Sequence, residues 1–287
     1  MLSQKIAFIG SGAMGEAMMA GLLRGRLASP ENLHASDVRA ERVEELHRKY
    51  GVQPFVDNRA AVQVADVVVL SIKPQRLTEV LRGLKGAIPE KALVLSIVAG
   101  ATVTKISQGL NHKAVIRSMP NTPAQIGQGV TVWFPSAAVT PAQLETAKTI
   151  LGALGEEIMV DDESYLDMAT ALSGTGPAYV FLFMEAMIDA GVHLGFSRHV
   201  AERLVVQTLR GAVNYYESVH RANGTHVAAL RNQVTSPGGT SAEALYYLEK
   251  AGFRTALSRA IWAAYQRSLE LGREKPVHIP EKISEGG

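Results

Sequence analysis

The sequence contains no cysteine, and this absence excludes several kinds of chemistry. Disulfide bonds, thiolate zinc sites and cysteine nucleophiles all need a thiol. The chain has eight histidines, but none of them, His193 and His226 included, has the spacing of a metal site or of a catalytic triad. We therefore expect no bound metal, and we expect solvated or helix-capping roles for the histidines.

An excess of charge of one sign is also missing, because 29 basic and 27 acidic residues give a formal net charge of +2. This balance leaves no electrostatic footprint for nucleic acid or an anionic membrane. The first ten residues hold too short an apolar run for a secretion signal. The longest apolar stretch, residues 179–194, contains Glu185 and Asp189 and is shorter than the roughly twenty residues that cross a bilayer. We expect a cytoplasmic protein whose partners are small molecules or further subunits.

The first half of the chain alternates short apolar runs with helical patterns. We predict strands over residues 5–9, 32–36, 67–72, 93–98, 114–117, 130–134 and 157–160, and helices over residues 14–27, 40–50, 59–65, 75–84, 103–110 and 141–154. Strands that are apolar throughout, alternating with helices, are typical of a parallel sheet covered on both faces. The pattern predicts a doubly wound α/β domain over residues 1–162.

The second half shows only helical patterns. We predict helices over residues 165–172, 177–194, 197–217, 226–233, 242–251 and 254–273, and a frayed tail from Lys275. Several of these helices are apolar around most of their circumference, so they need burial on several sides. We therefore predict an all-α domain over residues 163–287 that assembles into a homo-oligomer.

A glycine-rich turn lies between the first predicted strand and the first predicted helix. It reads Gly10-Ser11-Gly12-Ala13-Met14-Gly15, the G-x-G-x-x-G pattern in the context that dinucleotide binding requires. We expect Gly10 to permit the tight turn, Gly12 to let a pyrophosphate approach, and Gly15 to let the helix pack on the strand. The helix N-terminus favours a diphosphate. An ordinary turn without a ligand is the alternative, and the place of the turn in a βαβ series argues against it.

Charged residues follow the second predicted strand. Asp37 lies 22 residues after Gly15, where a carboxylate can accept hydrogen bonds from an adenosine ribose and so favour NADH. Arg39 and Arg42 follow, and their guanidinium groups could instead bind the 2′-phosphate of NADPH. As a further alternative, Asp37 is the N-cap of the next helix. The choice between the two cofactors stays open.

Two further motifs stand out by composition. The run from Arg117 to Pro123, RSMPNTP, follows a strand, and its prolines would stiffen a loop that could support a nicotinamide ring. The run from Thr235 to Ser241, TSPGGTS, precedes a helix, and Thr240 with Glu243 fits a capping box. Its glycines, hydroxyls and helix start would also suit a carboxylate. A cap alone and a cap with a substrate site remain equal alternatives.

The sequence resembles the pyrroline-5-carboxylate reductases over nearly its whole length. The resemblance rests on GSGAMG from Gly10, SIKP from Ser71, SIVAG from Ser96, RSMPNTPA from Arg117, SGTGPAY from Ser173 and TSPGGTSAEAL from Thr235. It implies an N-terminal Rossmann domain and a C-terminal helical domain that forms a homodimer, with dimers assembling into a larger ring such as a decamer. The implied reaction is hydride transfer from NADPH or NADH to the cyclic imine of 1-pyrroline-5-carboxylate, which gives L-proline in the last step of proline biosynthesis.

The resemblance also implies which residues form the sites. The cofactor residues would include Asn58 near the adenosine ribose, together with Ser71, Ile72, Lys73, Pro74, Ile97, Val98 and Ala99. Ser236, Gly239, Thr240 and Ser241 would bind the substrate. Thr240 and Ser241 would be catalytic, with the Ser241 hydroxyl helping to protonate the ring nitrogen. Asp37 departs from the small polar residues common at its position, which puts a strict NADPH preference in doubt.

Two other functions are compatible with parts of the sequence. The 3-hydroxy acid dehydrogenases share the same plan but use a lysine early in the helical domain, and this chain has no lysine between Lys148 and Lys250. A cofactor-binding regulator without turnover would not need the second carboxylate receptor at TSPGGTS. Both alternatives are therefore disfavoured.

Overall fold

The structure is a computed structural model, and it describes residues 1–272. Residues 1–175 and 264–272 belong to one compact unit, and residues 176–263 form the other. The last residue of the final predicted helix, Arg273, and the tail from Lys275 lie outside the described residues. The domain boundary after residue 162 marks a change of pattern in the sequence and stays a prediction.

The first unit contains an eight-stranded sheet. Its strands are β1 Ile6–Ile9, β2 Leu33–Ser36, β3 Gln53–Phe55, β4 Val67–Leu70, β5 Leu93–Ser96, β6 Val115–Met119, β7 Gly129–Pro135 and β8 Gly155–Met159. Their order is β3-β2-β1-β4-β5-β6-β7-β8. Strands β1 to β6 run parallel, β7 is antiparallel to β6, and β8 is parallel to β7. The doubly wound α/β class is confirmed, with a sheet that is mostly rather than wholly parallel.

Helices cover both faces of the sheet. They are α1 Ala13–Arg24, α2 Ala40–Tyr50, α3 Asn58–Gln63, α4 Leu77–Leu84, α5 Val103–Leu110 and α6 Pro141–Gly152. Side chains alternate along β1, so that Ile6 and Phe8 pack with α1, α2 and α6, whereas Ala7 and Ile9 pack with α3, α4 and α5. All four residues of β1 are fully buried. The alternation explains why this strand is apolar at every position.

Strand β3 was not predicted. It contains Pro54, which cannot donate a hydrogen bond to a neighbouring strand, so its sequence does not read as a strand. β3 lies at the edge of the sheet and pairs with β2 alone. An edge position tolerates a proline because one side of the strand needs no partner.

From Tyr165 onward the described chain is helical. Its helices are α7 Tyr165–Ala169, α8 Gly176–His193, α9 Arg198–Asn223, α10 Val227–Gln233, α11 Thr240–Lys250 and α12 Phe253–Gly272. A π-helical segment, Thr170–Gly174, continues α7, so the chain is helical farther than the predicted end at residue 172. His226 is the N-cap of α10, and its side chain accepts a hydrogen bond from the Ala228 N–H. This confirms the helix-capping role expected for that histidine.

The surface of α8 is strongly apolar. The helical stretch Tyr165–His193 is 29 residues long and contains an 18-residue window with a mean hydropathy of 1.2, so it passes for a membrane span by length and composition alone. No residue of α8 is buried within the described chain, and Phe181 and Leu182 are 61% and 67% exposed. An apolar surface of this extent marks contact with another subunit or with a membrane.

Candidate functional site

Predicted cofactor residues stand at the ends of four neighbouring strands. Gly10 follows β1, Asp37 follows β2, Ser71 follows β4 and Ile97 follows β5. Because β2, β1, β4 and β5 are adjacent and parallel, these residues lie along one edge of the sheet. The strand order reverses between β1 and β4, and ligands of doubly wound folds bind at such a switch point.

The turn after β1 needs glycine at its first and last positions. Gly10 has a φ of 88°, and a Cβ there would lie 2.7 Å from the Ile72 side chain and 2.9 Å from the Ser71 carbonyl oxygen. A Cβ on Gly15 would lie 2.7 Å from the Gly10 carbonyl oxygen. These distances leave no room for a side chain. The roles predicted for Gly10 in the tight turn and for Gly15 in helix packing are confirmed.

Gly12, by contrast, borders open space. It is the N-cap of α1, and a Cβ added to it would meet no atom of the described residues within 4 Å. The first helical bond runs from the Glu16 N–H to the Gly12 carbonyl at 2.9 Å. The N–H groups of Ala13, Met14 and Gly15 precede this bond and have no partner inside the helix. This helix N-terminus therefore fits the diphosphate of a dinucleotide.

Ser11 faces the protein rather than this space. Its side chain is fully buried, and its hydroxyl donates to the Ser36 carbonyl at 3.2 Å. Its N–H donates to Asp37 Oδ2 at 3.2 Å, and its carbonyl accepts from Arg42 Nε at 2.9 Å. These hydrogen bonds to Ser36, Asp37 and Arg42 hold the backbone of the turn in place. Contact between Ser11 and a cofactor stays a prediction.

The Asp37 carboxylate lies between the turn and Arg39. Its Oδ1 accepts from the N–H of Arg39 at 3.1 Å and from Nε of Arg39 at 3.0 Å. Burial acts to raise the pKa of Asp37, but the bonds from Arg39 and Ser11 outweigh it, and this pKa is lowered. The N-cap of α2 is Arg39. The alternative that Asp37 is the N-cap is therefore wrong. The contact of Asp37 with a ribose stays a prediction.

An ionic cluster that the sequence does not predict lies next to the turn. Glu16, in the first turn of α1, accepts hydrogen bonds from Arg42, Lys49 and Tyr50. Burial acts to raise the pKa of Glu16, but these three bonds outweigh it and lower the pKa to about 2. Glu16 and Arg42 are 26 residues apart, so no local spacing signals their contact.

Two of the other predicted cofactor residues bond to the turn or to its surroundings. The Ser71 hydroxyl donates to the Gly10 carbonyl at 2.6 Å. Asn58 begins α3, and its Oδ1 accepts from the Ser36 hydroxyl at 2.7 Å. Both side chains are thereby fixed at the sheet edge.

The remaining members of the set are backbone positions near the same edge. Lys73 is the N-cap of a short 3-10 turn that begins at Pro74. The Ile97 N–H donates to the Leu70 carbonyl at 3.1 Å, which continues the pairing of β4 and β5. Val98 is buried, whereas Ala99 is partly exposed. Their part in cofactor binding stays a prediction.

The RSMPNTP and SGTGPAY motifs meet through Asn121. Its amide nitrogen donates to the Ser173 carbonyl at 3.2 Å, and its amide oxygen accepts from the Val130 N–H at 3.0 Å. A Cβ on Gly174 would lie 2.8 Å from Met119 Cε. Asn121 therefore holds the loop against the π-helical segment, while its support of a nicotinamide ring stays a prediction.

Arg117, the first residue of RSMPNTP, is turned into the protein. Its side chain is 4% exposed and pairs with Glu163 at 3.2 Å and with Asp167 at 3.0 Å. Glu163 also accepts from the Val103 N–H at 2.8 Å, at the start of α5. This buried ion cluster spans distant positions and was not predicted.

The TSPGGTS loop lies in the other unit and contains a tight turn. The Gly239 N–H donates to the Ser236 carbonyl at 3.0 Å across Pro237 and Gly238. Gly238 has a φ of 69°, as a type II turn requires at that position. A Cβ on Gly239 would lie 2.6 Å from the Ser236 hydroxyl oxygen, so only glycine leaves that hydroxyl its place.

This turn sets the start of α11. Gly239 is the N-cap and makes no side-chain cap, so the predicted capping box of Thr240 and Glu243 is wrong. The Glu243 N–H donates to the Gly239 carbonyl at 3.2 Å as the first helical bond. The N–H groups of Thr240, Ser241 and Ala242 precede it and have no partner inside the helix. These N–H groups are placed to bind an anion, and the ligand of the loop stays a prediction.

Two family models match the sequence. The model for pyrroline-5-carboxylate reductase dimerisation matches residues 163–271. A model described as NADP oxidoreductase, coenzyme F420-dependent, matches residues 5–100. The first covers most of the helical half and the second covers β1 to β5.

Curated relatives named pyrroline-5-carboxylate reductase match almost the entire chain. One from Synechocystis sp. is 39% identical over 273 residues, which are 95% of this chain and 100% of that protein. Another from Pseudomonas aeruginosa is 40% identical over 275 residues, covering 96% of this chain and 99% of that one.

Solved structures give the same match. A pyrroline-5-carboxylate reductase from Coxiella burnetii has a TM-score of 0.85 at 35% identity and covers 95% of this chain and 100% of its own. A pyrroline carboxylate reductase from Plasmodium falciparum, solved with NADP bound, has a TM-score of 0.86 at 30% identity, with coverage of 95% and 100%. The similarity thus includes both the sheet and the helical half.

Proposed function

The chain belongs to the pyrroline-5-carboxylate reductase family, and we propose that the turn from Gly10 to Gly15 binds its cofactor and the loop from Thr235 to Ser241 its substrate. The protein is an NAD(P)H-dependent oxidoreductase that reduces 1-pyrroline-5-carboxylate to L-proline, the last step of proline biosynthesis. The identity of 39% over 95% of the chain carries this assignment. The function expected from the motifs is confirmed.

The cofactor proposal is supported by the open space at Gly12. The diphosphate would lie against the N–H groups of Gly12, Ala13 and Met14, where the helix dipole favours negative charge. The full proposed set is Gly10, Ser11, Gly12, Ala13, Met14, Gly15, Asp37, Asn58, Ser71, Ile72, Lys73, Pro74, Ile97, Val98 and Ala99.

The substrate proposal is supported by the start of α11. The N–H groups of Thr240 and Ser241 precede the first helical bond, and the Ser236 hydroxyl lies against the Gly239 backbone. We propose that Ser236, Gly239, Thr240 and Ser241 form the substrate site, with Gly239 leaving room for the Ser236 hydroxyl and backbone amides binding the carboxylate. Because the Gly239 N–H already donates to the Ser236 carbonyl, the amides that carry this contact are those of Thr240 and Ser241.

When bound, NAD(P)H supplies the hydride that reduces the C=N bond. A protonated cyclic imine is already a good hydride acceptor, so the main task of the protein is to hold the two reactants in position. We propose that the Ser241 hydroxyl hydrogen-bonds the ring nitrogen and helps to protonate it, and that Thr240 orients the carboxylate. The side chains of Thr240 and Ser241 thus share the catalytic role.

An assay with purified protein tests the substrate site. Oxidation of NADH or NADPH is expected only when 1-pyrroline-5-carboxylate is added. Ser241→Ala is expected to lower kcat about 100-fold, within the range for a general acid, while the Kd for the cofactor stays unchanged. Ser3→Ala removes an exposed hydroxyl in the other unit and serves as the matched control. An unchanged kcat in Ser241→Ala would remove Ser241 from the mechanism.

Gly12→Val tests the cofactor turn. The φ of Gly12 is −73°, and a Cβ there would have no neighbour within 4 Å in the part of the chain that the structure describes, so the variant is expected to fold as the wild type does. Its side chain would fill the place of the diphosphate, so cofactor binding, measured by fluorescence titration, is expected to be lost. Undiminished binding would place the cofactor elsewhere.

The helical half contains the dimerisation region of the family, so the protein forms homo-oligomers. We propose a homodimer through these helices and a larger ring such as a decamer, in the cytoplasm, with neither nucleic acid nor membrane as partner. The exposed apolar surface of α8 supports the dimer, since a second subunit would cover it. Sedimentation velocity tests the assembly, and a monomer at micromolar concentration would contradict it.

A further inference from the structure

The peptide groups beneath the cofactor turn are held by charges on both sides. Asp37 accepts from the Ser11 N–H at 3.2 Å, and Arg42 donates its Nε to the Ser11 carbonyl at 2.9 Å. The Ser11 carbonyl and the Gly12 N–H belong to the same peptide group. A cation bonded to the carbonyl oxygen polarises that group and makes its N–H a stronger donor.

Every nitrogen of the Arg42 guanidinium has a protein partner. In addition to the bond from Nε, one terminal nitrogen donates to Glu45 Oε2 at 2.9 Å and the other donates to Glu16 Oε2. The side chain of Arg42 is 15% exposed. Reaching a 2′-phosphate would require Arg42 to give up these bonds.

Glu16 is itself held in place. Its Oε1 accepts from Lys49 Nζ and from the Tyr50 hydroxyl, both at 2.8 Å. These bonds aim Oε2 at Arg42. The cluster thus ties α2 to the first turn of α1 and fixes the guanidinium under the turn.

We propose that Arg42, held by Glu16, is a positioning residue for the cofactor diphosphate, and that it is not a ligand of the 2′-phosphate. It fixes the Ser11–Gly12 peptide and strengthens the Gly12 N–H as a donor to the diphosphate. This role deepens the proposed function and rests on the proposed place of the cofactor. Because NADH and NADPH share the diphosphate, Arg42 serves both equally.

The test is direct titration of both cofactors. Arg42→Ala is expected to raise the Kd of NADH and of NADPH about tenfold each, leaving their ratio and kcat at saturating cofactor unchanged. Arg48→Ala is the matched control, because Arg48 is on the same helix and its ion-pair partner among residues 1–272 is the exposed Glu44, at 3.9 Å. It is expected to change neither Kd.

A loss confined to NADPH would overturn the proposal, because it would make Arg42 a phosphate ligand. Unchanged Kd values for both cofactors would overturn it as well. Gly12→Val separates these outcomes from failure of the proposed function: if it too leaves binding intact, the cofactor is not at the turn, and the site assignment fails.

Two conservative variants keep the test decisive if Arg42→Ala does not fold. Arg42→Lys retains the charge but cannot bond Ser11, Glu16 and Glu45 together, and a partial, equal rise of both Kd values is expected. Glu16→Gln keeps the size of the side chain and removes its charge, and about a threefold rise for both cofactors is expected. Equal effects support the positioning role, whereas unequal effects or none contradict it.

Discussion

The carboxylate of Asp167 accepts a hydrogen bond from the Ser268 hydroxyl at 2.7 Å, across 101 residues of sequence. The same Oδ1 accepts from Arg117 at 3.0 Å, and all three side chains lie within the first unit. Ser268 is on α12 and is 2% exposed. Asp167 therefore joins the end of the described chain to strand β6.

Removal of Asp167 is expected to destabilise the protein. Asp167→Ala would leave the buried Arg117 cation with one of its two acidic partners in the described chain, Glu163, and breaking a buried pair costs about 3 kcal/mol. Ser268→Ala removes only one neutral donor and is expected to cost about 1 kcal/mol. Urea unfolding at a fixed protein concentration measures both changes. Equal losses of unfolding free energy in the two variants would contradict the view that the ion pair with Arg117 makes Asp167 important for stability.

Asp37 is expected to disfavour NADPH. The Asp37 carboxylate stays ionised because its pKa is lowered, so it would repel a 2′-phosphate. It also forms an ion pair with the exposed Arg39 guanidinium, which is then not free to bind that phosphate. Asp37→Ser is expected to shift the ratio of kcat/KM toward NADPH about tenfold, since it removes the repulsion and frees Arg39. Asp37→Asn, which keeps the size and removes the charge, serves as the control and should shift the ratio in the same direction. Ratios equal to that of the wild type would remove Asp37 from cofactor selection.

The Glu16 cluster is expected to make stability depend on pH in acid. The pKa of Glu16 is lowered from 4.5 to about 2, so its contribution is full above pH 4.5 and is lost as the pH falls toward 2. The contribution is on the order of 2 kcal/mol, because each pKa unit corresponds to about 1.4 kcal/mol and solvent screens part of it. The difference in unfolding free energy between wild type and Glu16→Gln should therefore shrink between pH 5 and pH 2.

Lys49→Met is the control for this assignment. Lys49 donates to Glu16 at 2.8 Å, so its removal should raise the pKa of Glu16 and move the loss of stability to higher pH. A pH profile that neither variant alters would contradict the role given to Glu16.

Gly155 is expected to be intolerant of any side chain. Its φ is 133°, and a Cβ there would lie 2.1 Å from the Gly129 carbonyl oxygen in the neighbouring strand. Gly155→Ala should lower the free energy of unfolding by about 4 kcal/mol, since backbone atoms cannot move aside cheaply. Gly152→Ala, three residues earlier at the end of α6 and with open space around it, is the control and should stabilise by about 0.5 kcal/mol. Similar effects of the two substitutions would contradict this account.

Local sequence patterns were enough to predict most of the fold. The apolar run of β4 and the helical spacing of α4 each follow from neighbouring residues. The antiparallel direction of β7 was not predictable in this way, because direction depends on which strand it meets. Pro54 concealed β3, since a proline in a strand is tolerated only at an edge, and edges are a property of the assembled sheet.

In the candidate site, too, the local features were predictable from the sequence and the contacts between distant residues were not. The glycine turn was predictable because its G-x-G-x-x-G pattern occupies six consecutive residues between a strand and a helix. The contacts of Arg42 with Glu16 and of Arg117 with Asp167 span 26 and 50 residues, and no periodicity records them. The N-cap of α11 was misplaced by one residue, at Thr240 instead of Gly239, because the preceding turn, and not the T-x-x-E pattern, sets it.

The exposed apolar surface of α8 is expected to make the stability of this protein depend on its concentration. None of the 18 residues of α8 is buried within the described chain, so we expect the folding of this helix to be coupled to its association with a partner subunit. Dilution then acts on the protein as a denaturant does, and the midpoint of thermal unfolding should rise with protein concentration. In a cell that makes little of the enzyme, a smaller fraction of the chains would be associated and folded. Activity would therefore fall more than in proportion to the number of chains.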